Sequence, residues 1–179
     1  MTLRMAIAEA RPERAIMWRE TFSDLSSVEV IEVPPPELHA QMVLDAEVLG
    51  TWMAHERYGG NPEIGVSQVL STRGEPGMPP WVITYPPYPS RGDYKRKWTG
   101  ELVWIESPLS KNEKEEEVYQ AFREILSAID RFNESSEHKI RTLGFSPTLL
   151  FRDDDLAIAA RSIKRAYLEW ISQSEKQKQ

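Results

Sequence analysis

Apolar and polar positions in the N-terminal part of the chain follow a strand–helix–strand pattern. Leu3–Ala8 is a short apolar run that predicts a first strand. Pro12 suits the first turn of a helix, and Val28–Val33 is a β-branched run typical of a second strand. Pro34–Pro36 end that strand, because proline has no N–H to donate to a sheet. The helix is predicted from apolar residues near helical spacing, namely Ile16, Met17, Trp18, Phe22 and Leu25.

The C-terminal part shows the same alternation with longer helices. Glu113–Glu117 is an acidic run that opens a helix, where carboxylates suit the positive end of the helix dipole. Lys139–Phe145 predicts a strand, and a last helix is expected from Asp153 or Asp154 to about Ser172. The first of these helices has an apolar stripe formed by Val118, Phe122, Ile125, Leu126, Ile129 and Phe132.

The middle of the chain has a weaker pattern that admits alternatives. Gln41–Asp45 is a weak strand candidate, and Thr51–Tyr58 suits a short helix closed by two glycines. Gly65–Thr72 and Trp81–Tyr85 predict strands, with a turn-rich loop between them. Leu102–Ile105 is either a strand or a packed loop edge.

Strands that alternate with helices predict an α/β fold, and more closely a three-layer α/β/α sandwich with a central mixed sheet. We find no internal repeat and no boundary of a second domain, so a single domain is expected over residues 1–172. The polar tail over residues 173–179 is expected to fray.

The composition narrows the classes of function. The net charge is -6 and the pI is near 5.2, which disfavours broad nucleic-acid binding because that needs a basic face. The chain has no cysteine, which excludes disulfides, a thiolate nucleophile and cysteine-bound metal. No apolar run approaches the ~20 residues of a membrane span, and the N-terminus lacks the apolar core of a signal peptide. We expect a cytoplasmic protein without membrane contact.

Four segments follow a known order of strands, loops and helices: Met5–Val33, Gly65–Pro87, Lys139–Pro147 and Asp155–Trp170. The first contains a W-x-x-x-F pattern at Trp18 and Phe22, followed by a V-E-V strand. In this order the segments resemble a macro domain, the α/β/α family that binds ADP-ribose. The resemblance implies a macro-domain-like fold and a nucleotide-like or ADP-ribose-like ligand.

The same resemblance implies a ligand crevice, although residues typical of the family are replaced. Family members place an alanine–asparagine pair after the third strand, where the asparagine can hold a ribose, followed by glycines that admit the diphosphate. In this chain Ala46 matches the alanine, Glu47 replaces the asparagine, and only Gly50 remains of the glycines. The ligand-binding residues implied are Ala46, Glu47, Leu49, Gly50, Thr51, Tyr85, Ser146 and Thr148.

The stretch GFSPTLLFRDDD, Gly144–Asp155, lies where the family has its second phosphate loop. Anion binding at a helix N-terminus needs free backbone N–H groups and a close backbone approach. Leu149, Leu150 and Phe151 obstruct that approach, and the three aspartates add negative charge at the same helix end. The sequence therefore predicts that no phosphate group binds in this loop.

Other polar clusters have ordinary explanations. Asp153–Asp155 suits helix capping better than cation binding. His39, His55 and His138 have no metal-ligand spacing. The basic and aromatic segment Arg91–Trp98 suits a solvated loop, with binding of phosphates or bases as the alternative. We expect no catalytic residue, no metal site and no cofactor.

Three functions stay open. The first is binding of a nucleotide-like or ADP-ribose-like small molecule. The second is a non-catalytic scaffold or protein-interaction domain that has lost its ligand. The third is hydrolysis of ADP-ribosylated substrates, which is disfavoured because no nucleophile or asparagine is positioned for it. Because a fold does not decide a function, the sequence does not choose between the first two.

Overall fold

The protein has an α/β fold, which confirms the class that the alternating pattern predicts. The strands of the computed structural model are β1 (Arg4–Ala8), β2 (Val28–Ile31), β3 (Ala46–Gly50), β4 (Gln68–Val69), β5 (Val82–Tyr85), β6 (Leu102–Ser107) and β7 (Thr142–Phe145). The helices are α1 (Pro12–Thr21), α2 (Glu115–Ser135) and α3 (Leu156–Lys176). The structure describes residues 2–34, 44–50, 68–69, 82–85, 102–107, 115–135, 137, 139–147 and 156–176.

The strands form one sheet in the order β2-β1-β7-β3-β6-β5-β4. Neighbours from β2 to β6 run parallel. By contrast, β5 runs antiparallel to both β6 and β4. The carboxyl ends of the parallel strands therefore lie along one edge of the sheet, which we call the carboxyl edge. The starts of the same strands lie along the amino edge.

The described helices pack against one face of the sheet. Ile7 of β1 and Phe145 of β7 lie in the same buried core as the apolar stripes of α2 and α3. Trp18 of α1 is fully buried and meets Phe145 edge to face, with ring centroids 6.2 Å apart. Side chains alternate along a strand, so Ala6 and Ala8 point to the opposite face, where they form a second buried cluster.

The central strand β3 directly follows a segment with a weak strand pattern. The sequence makes Gln41–Asp45 a weak strand candidate; residues 41–43 lie outside the described residues, and Asp45 directly precedes the strand Ala46–Gly50. Ala46 and Val48 pack in the helix-face core, as strand residues do. Glu47 between them points to the other face.

The other observed ends of helices and strands differ less from the predicted ones. Leu102–Ser107 is a strand, so the alternative of a packed loop edge over Leu102–Ile105 is excluded. Helix α3 continues past the predicted end at Ser172 to Lys176, so part of the expected frayed tail is helical. The predicted helix over Thr51–Tyr58 and the start of the last helix at Asp153–Asp155 lie outside the described residues.

Candidate functional site

Buried polar side chains concentrate on three neighbouring strands. Within the described ranges the buried polar residues are Glu9, Glu47, Ser146 and Ser162. Ser162 donates to the carbonyl of Ile158 inside α3, an ordinary bond within a helix. The other three lie in or directly after the neighbouring strands β1, β3 and β7: Glu9 and Ser146 follow β1 and β7 at the carboxyl edge, whereas Glu47 pairs with Gly144 and is level with Ala6 in the middle of β1. Buried polar groups are costly unless they are hydrogen-bonded, so this group marks the candidate site.

Glu9 directly follows β1 and is fully buried. Its N–H donates to the carbonyl of Ile31 at 3.0 Å, which extends the β1–β2 ladder by one residue. Its Oε1 accepts a hydrogen bond from the Arg11 N–H at 3.1 Å, where a carboxylate suits the start of α1. Its Oε2 has no hydrogen-bond partner among the residues that the structure describes. The buried Oε2 atom of Glu9 at the carboxyl edge therefore accepts no hydrogen bond from a described residue.

Ser146 and Glu47 share the sheet face that lies away from the described helices. Glu47 pairs with Gly144 of β7, which carries no side chain on this face. Ser146 lies two residues beyond Gly144, so its side chain belongs to the same face. The Ser146 hydroxyl is buried and has no hydrogen-bond partner in the described part of the chain. A carboxylate and a hydroxyl are thus diagonal neighbours on this face.

The structure brings most of the described candidate residues together. The segment that includes Ala46, Glu47, Leu49 and Gly50 is strand β3, which pairs with β7 and so lies beside Ser146. The Ala46 side chain is packed in the helix-face core, so only its backbone is left for a ligand. Thr51 and Thr148 lie outside the described residues.

Tyr85 does not join this group. It pairs with Leu102, the first residue of β6, whereas Gly50 pairs with Ser107 at the end of β6. Because β5 runs antiparallel, the backbone pairing places Tyr85 at the amino edge, whereas Ser146 follows β7 at the carboxyl edge.

Sequence reasoning missed Glu9, although one signal was present. An acidic residue directly follows the apolar run of β1 and precedes the proline that opens α1. In open α/β sheets the carboxyl ends of parallel strands carry ligand-binding residues, so an acid at that position is a candidate.

The three buried side chains supply oxygen atoms. A carboxylate only accepts hydrogen bonds, while a serine hydroxyl both donates and accepts. The arrangement therefore suits a ligand that offers O–H or N–H donors. Glu9 opposes a phosphate at this edge, because a buried carboxylate and a phosphate repel each other.

Two further observations, on metal binding and on membrane crossing, apply only to the part of the chain that the structure describes. Within the described ranges, no group of three or more His, Cys, Asp or Glu side chains is placed to hold a metal ion. No helix in that same part of the chain is long and apolar enough to cross a membrane. The segment Arg91–Trp98 and the residues His39, His55 and His138 lie outside it.

Comparison of the chain with protein-family models, with curated proteins and with solved structures gave no match. The class of protein is therefore defined only by the fold and by the candidate site. The protein is an α/β domain with a parallel run of strands and buried oxygen acceptors toward the carboxyl edge.

Proposed function

We propose that the protein binds a nucleoside or an ADP-ribose-like small molecule at the carboxyl edge, and that it holds the ribose rather than a phosphate. The observation that carries this proposal is the buried Glu9 carboxylate, whose Oε2 has no partner among the described residues. A buried acceptor without a donor costs about 1–3 kcal/mol. A ligand hydroxyl that donates to Oε2 would remove that cost.

The position of Glu9 supports recognition of a ribose. Ligands of open α/β sheets bind outside the carboxyl ends of the strands, and in dinucleotide-binding folds an acidic residue there bonds a ribose hydroxyl. Glu9 follows β1, which has a parallel neighbour on each side. Its Oε1 is already held by the Arg11 N–H, which orients the carboxylate before a ligand arrives.

Neighbouring groups support a donor-bearing ligand. Ser146 follows β7, the strand next to β1, and its buried hydroxyl can donate to or accept from a ligand. Glu47 is a second buried carboxylate, but it lies level with Ala6 in the middle of β1 and is not counted as a contact of this ligand. The charge of Glu9 agrees with the prediction that no phosphate binds in the Gly144–Asp155 loop, most of which lies outside the described residues.

A three-layer, macro-like architecture is part of the proposal. Parallel sheets occur almost only with both faces covered. The described helices cover one face. Ala6, Ala8 and Glu47 on the other face are buried as well, which supports a cover on that side.

Calorimetric titration of the full chain with adenosine, 2′,3′-dideoxyadenosine and ADP-ribose tests the proposal. Adenosine is expected to bind. Loss of the 2′ and 3′ hydroxyls should weaken binding about 10- to 100-fold, because a hydrogen bond to a charged group contributes about 1.5–3 kcal/mol. ADP-ribose should bind within about tenfold of adenosine, since its phosphates gain no contact.

Replacement of Glu9 by glutamine is expected to weaken adenosine binding about 10- to 100-fold and to leave dideoxyadenosine binding unchanged. Both changes remove the same hydrogen bond, so their effects should not add. Glutamine keeps an acceptor for the Arg11 N–H, and circular dichroism verifies the fold.

The matched control is Glu29→Gln, which makes the same change of charge at an exposed position in β2. It should bind adenosine as the unaltered protein does. Equal adenosine affinity for Glu9→Gln and the unaltered protein would contradict the proposal. If none of the three ligands binds, the scaffold or protein-interaction alternative is favoured. The hydrolase alternative instead requires turnover of an ADP-ribosylated protein that Glu47→Gln abolishes.

A further inference from the structure

A cavity lies at the amino edge of the sheet, at the opposite end of the strands from Glu9. Its volume is about 510 Å³, within the ~300–1,000 Å³ typical of small-molecule sites. Its wall comes from residues just before β1 and β7 and from the C-terminal halves of α2 and α3. The apolar part of the wall includes Leu3, Ile129, Ile140 and Trp170.

Hydrogen bonds fix the strand side of this wall. Asn133 Nδ2 donates to the Ile140 carbonyl at 3.0 Å, and the Ile140 N–H donates back to Asn133 Oδ1 at 2.7 Å. The Arg141 N–H donates to Asp45 Oδ2 at 2.8 Å. Lys139 Nζ donates to the Asn133 carbonyl. The Lys139 bond uses one of its three N–H donors, so Asp130, Lys139 and Arg141 are the charged groups of the wall, and Arg141 has the planar donors that match a carboxylate.

Asp130 supplies a carboxylate to the cavity. Its Oδ2 accepts a hydrogen bond from Trp170 Nε1 at 2.6 Å, which fixes the side chain and leaves Oδ1 to accept from a ligand. Burial has the largest effect and raises the pKa of Asp130. The hydrogen bond from Trp170 lowers this pKa, the negative charge of Glu134 raises it, and the positive charge of Arg131 lowers it. The carboxylate is therefore held in a partly desolvated place, where a cationic donor is favoured.

Arg141 supplies the opposite charge to the same cavity. Its side chain is exposed and makes no ion pair with another described residue. A guanidinium is well suited to a carboxylate, since it can form two parallel hydrogen bonds with it. The cavity thus combines one anionic group, two cationic groups of which Arg141 forms no ion pair with a described residue, and an apolar wall with an indole ring.

We propose that this cavity binds a small zwitterion of the α-amino-acid class with an apolar side chain. The ligand ammonium donates to Asp130, the ligand carboxylate pairs with Arg141, and the ligand side chain packs on Trp170 and Ile140. An amine or a carboxylic acid alone meets only one of these two charged groups. This site is separate from the carboxyl edge and does not depend on the function proposed for it.

Calorimetry of the full chain with L-leucine, N-acetyl-L-leucine and L-leucinamide tests this assignment. L-Leucine is expected to bind at millimolar or lower concentration. N-Acetyl-L-leucine has no ammonium and L-leucinamide has no carboxylate, so each should bind at least about tenfold more weakly. Absence of L-leucine binding, or equal binding of the three compounds, would overturn the proposal.

Two variants and two matched controls locate the site. Asp130→Asn and Arg141→Gln should each weaken L-leucine binding at least about tenfold. Asp130→Asn keeps an acceptor for Trp170, so the fold should persist. Glu124→Gln changes another partly buried acid of α2 whose pKa burial also raises, but which is not in the cavity wall. Arg161→Gln changes an exposed arginine of α3. Both controls should bind as the unaltered protein does.

The pH dependence gives a second readout. Protonation of Asp130 removes the charge that holds the ammonium, so affinity should fall as pH decreases through the pKa of this carboxyl group. Because burial raises that pKa, the loss should begin at higher pH than for an ordinary aspartate. The charged groups around Asp130 are Arg131 and Glu134 of α2, with Lys139 and Arg141 opposite. The Asp130→Asn variant should lack this dependence, and the same pH profile in that variant would overturn the role of Asp130.

Discussion

Replacement of Trp18 by alanine is expected to lower the free energy of unfolding by about 3–5 kcal/mol. The side chain is fully buried and stacks on Phe22, with ring centroids 6.2 Å apart and planes 12° from parallel. It also meets Phe145 of β7 edge to face. Loss of the indole therefore removes the contact between α1 and the centre of the sheet, and leaves a cavity that its neighbours fill only in part.

Urea denaturation followed by circular dichroism measures this effect. Ile16→Ala is the matched control, because Ile16 lies in the same helix but is 53% exposed. We expect that control to stay within about 0.5 kcal/mol of the unaltered protein. A loss below about 1 kcal/mol for Trp18→Ala, or equal losses for the two variants, would contradict the packing of α1 on β7.

Replacement of Asp45 by alanine is expected to destabilise the protein by about 1.5–3 kcal/mol. Asp45 Oδ2 accepts hydrogen bonds from the backbone N–H groups of Arg141 and Thr142 at 2.8 and 2.9 Å. The carboxylate therefore joins the start of β3 to the start of β7 in the middle of the sheet. Alanine leaves two N–H groups without their acceptor, and Arg141 in particular loses the bond that fixes its backbone at the amino-edge cavity.

The conservative variant Asp45→Asn separates the hydrogen bonds from the charge. Its amide oxygen can still accept both N–H groups, so we expect a clearly smaller loss of unfolding free energy than for alanine. Both variants can be compared with the unaltered protein by urea denaturation. If Asp45→Ala stays within about 0.5 kcal/mol of the unaltered protein, the join between β3 and β7 is not stabilised as described.

Much of the fold follows from local pattern. The run Val28–Val33 predicts β2 because β-branched residues suit a half-buried strand. The stripe that includes Phe122 and Ile129 predicts α2, since residues at that spacing fall on one helix face, and the structure buries them. Such patterns are reliable when the buried side of an element is entirely apolar.

Local pattern failed at the centre of the sheet. Glu47 is a charged residue inside a buried strand, so β3 did not show the apolar run expected of a parallel strand. The sheet order was equally hidden, because β7, the last strand of the chain, lies between β1 and β3. Pairing between segments that are distant in sequence leaves no periodic signal in either one.

The candidate site was predictable only in part. The resemblance to a macro domain led to the segment Ala46–Gly50 and to Ser146, which the structure places on neighbouring strands. The position of Tyr85 at the amino edge was not predictable because the direction of β5 cannot be read from its own residues. Glu9 was missed because one acid before a helix usually caps that helix, and only the burial of its second oxygen suggests another role.

The most direct test of ligand binding at the carboxyl edge is an NMR titration of the ¹⁵N-labelled full chain with adenosine, in which backbone amide shifts are followed. We predict that the largest shift changes occur at Ala8, Glu9, Phe145 and Ser146, while Ile129 and Ile140 at the amino-edge cavity stay unchanged. No shift change at saturating adenosine, or changes confined to the amino edge, would contradict the proposal that Glu9 holds a ribose.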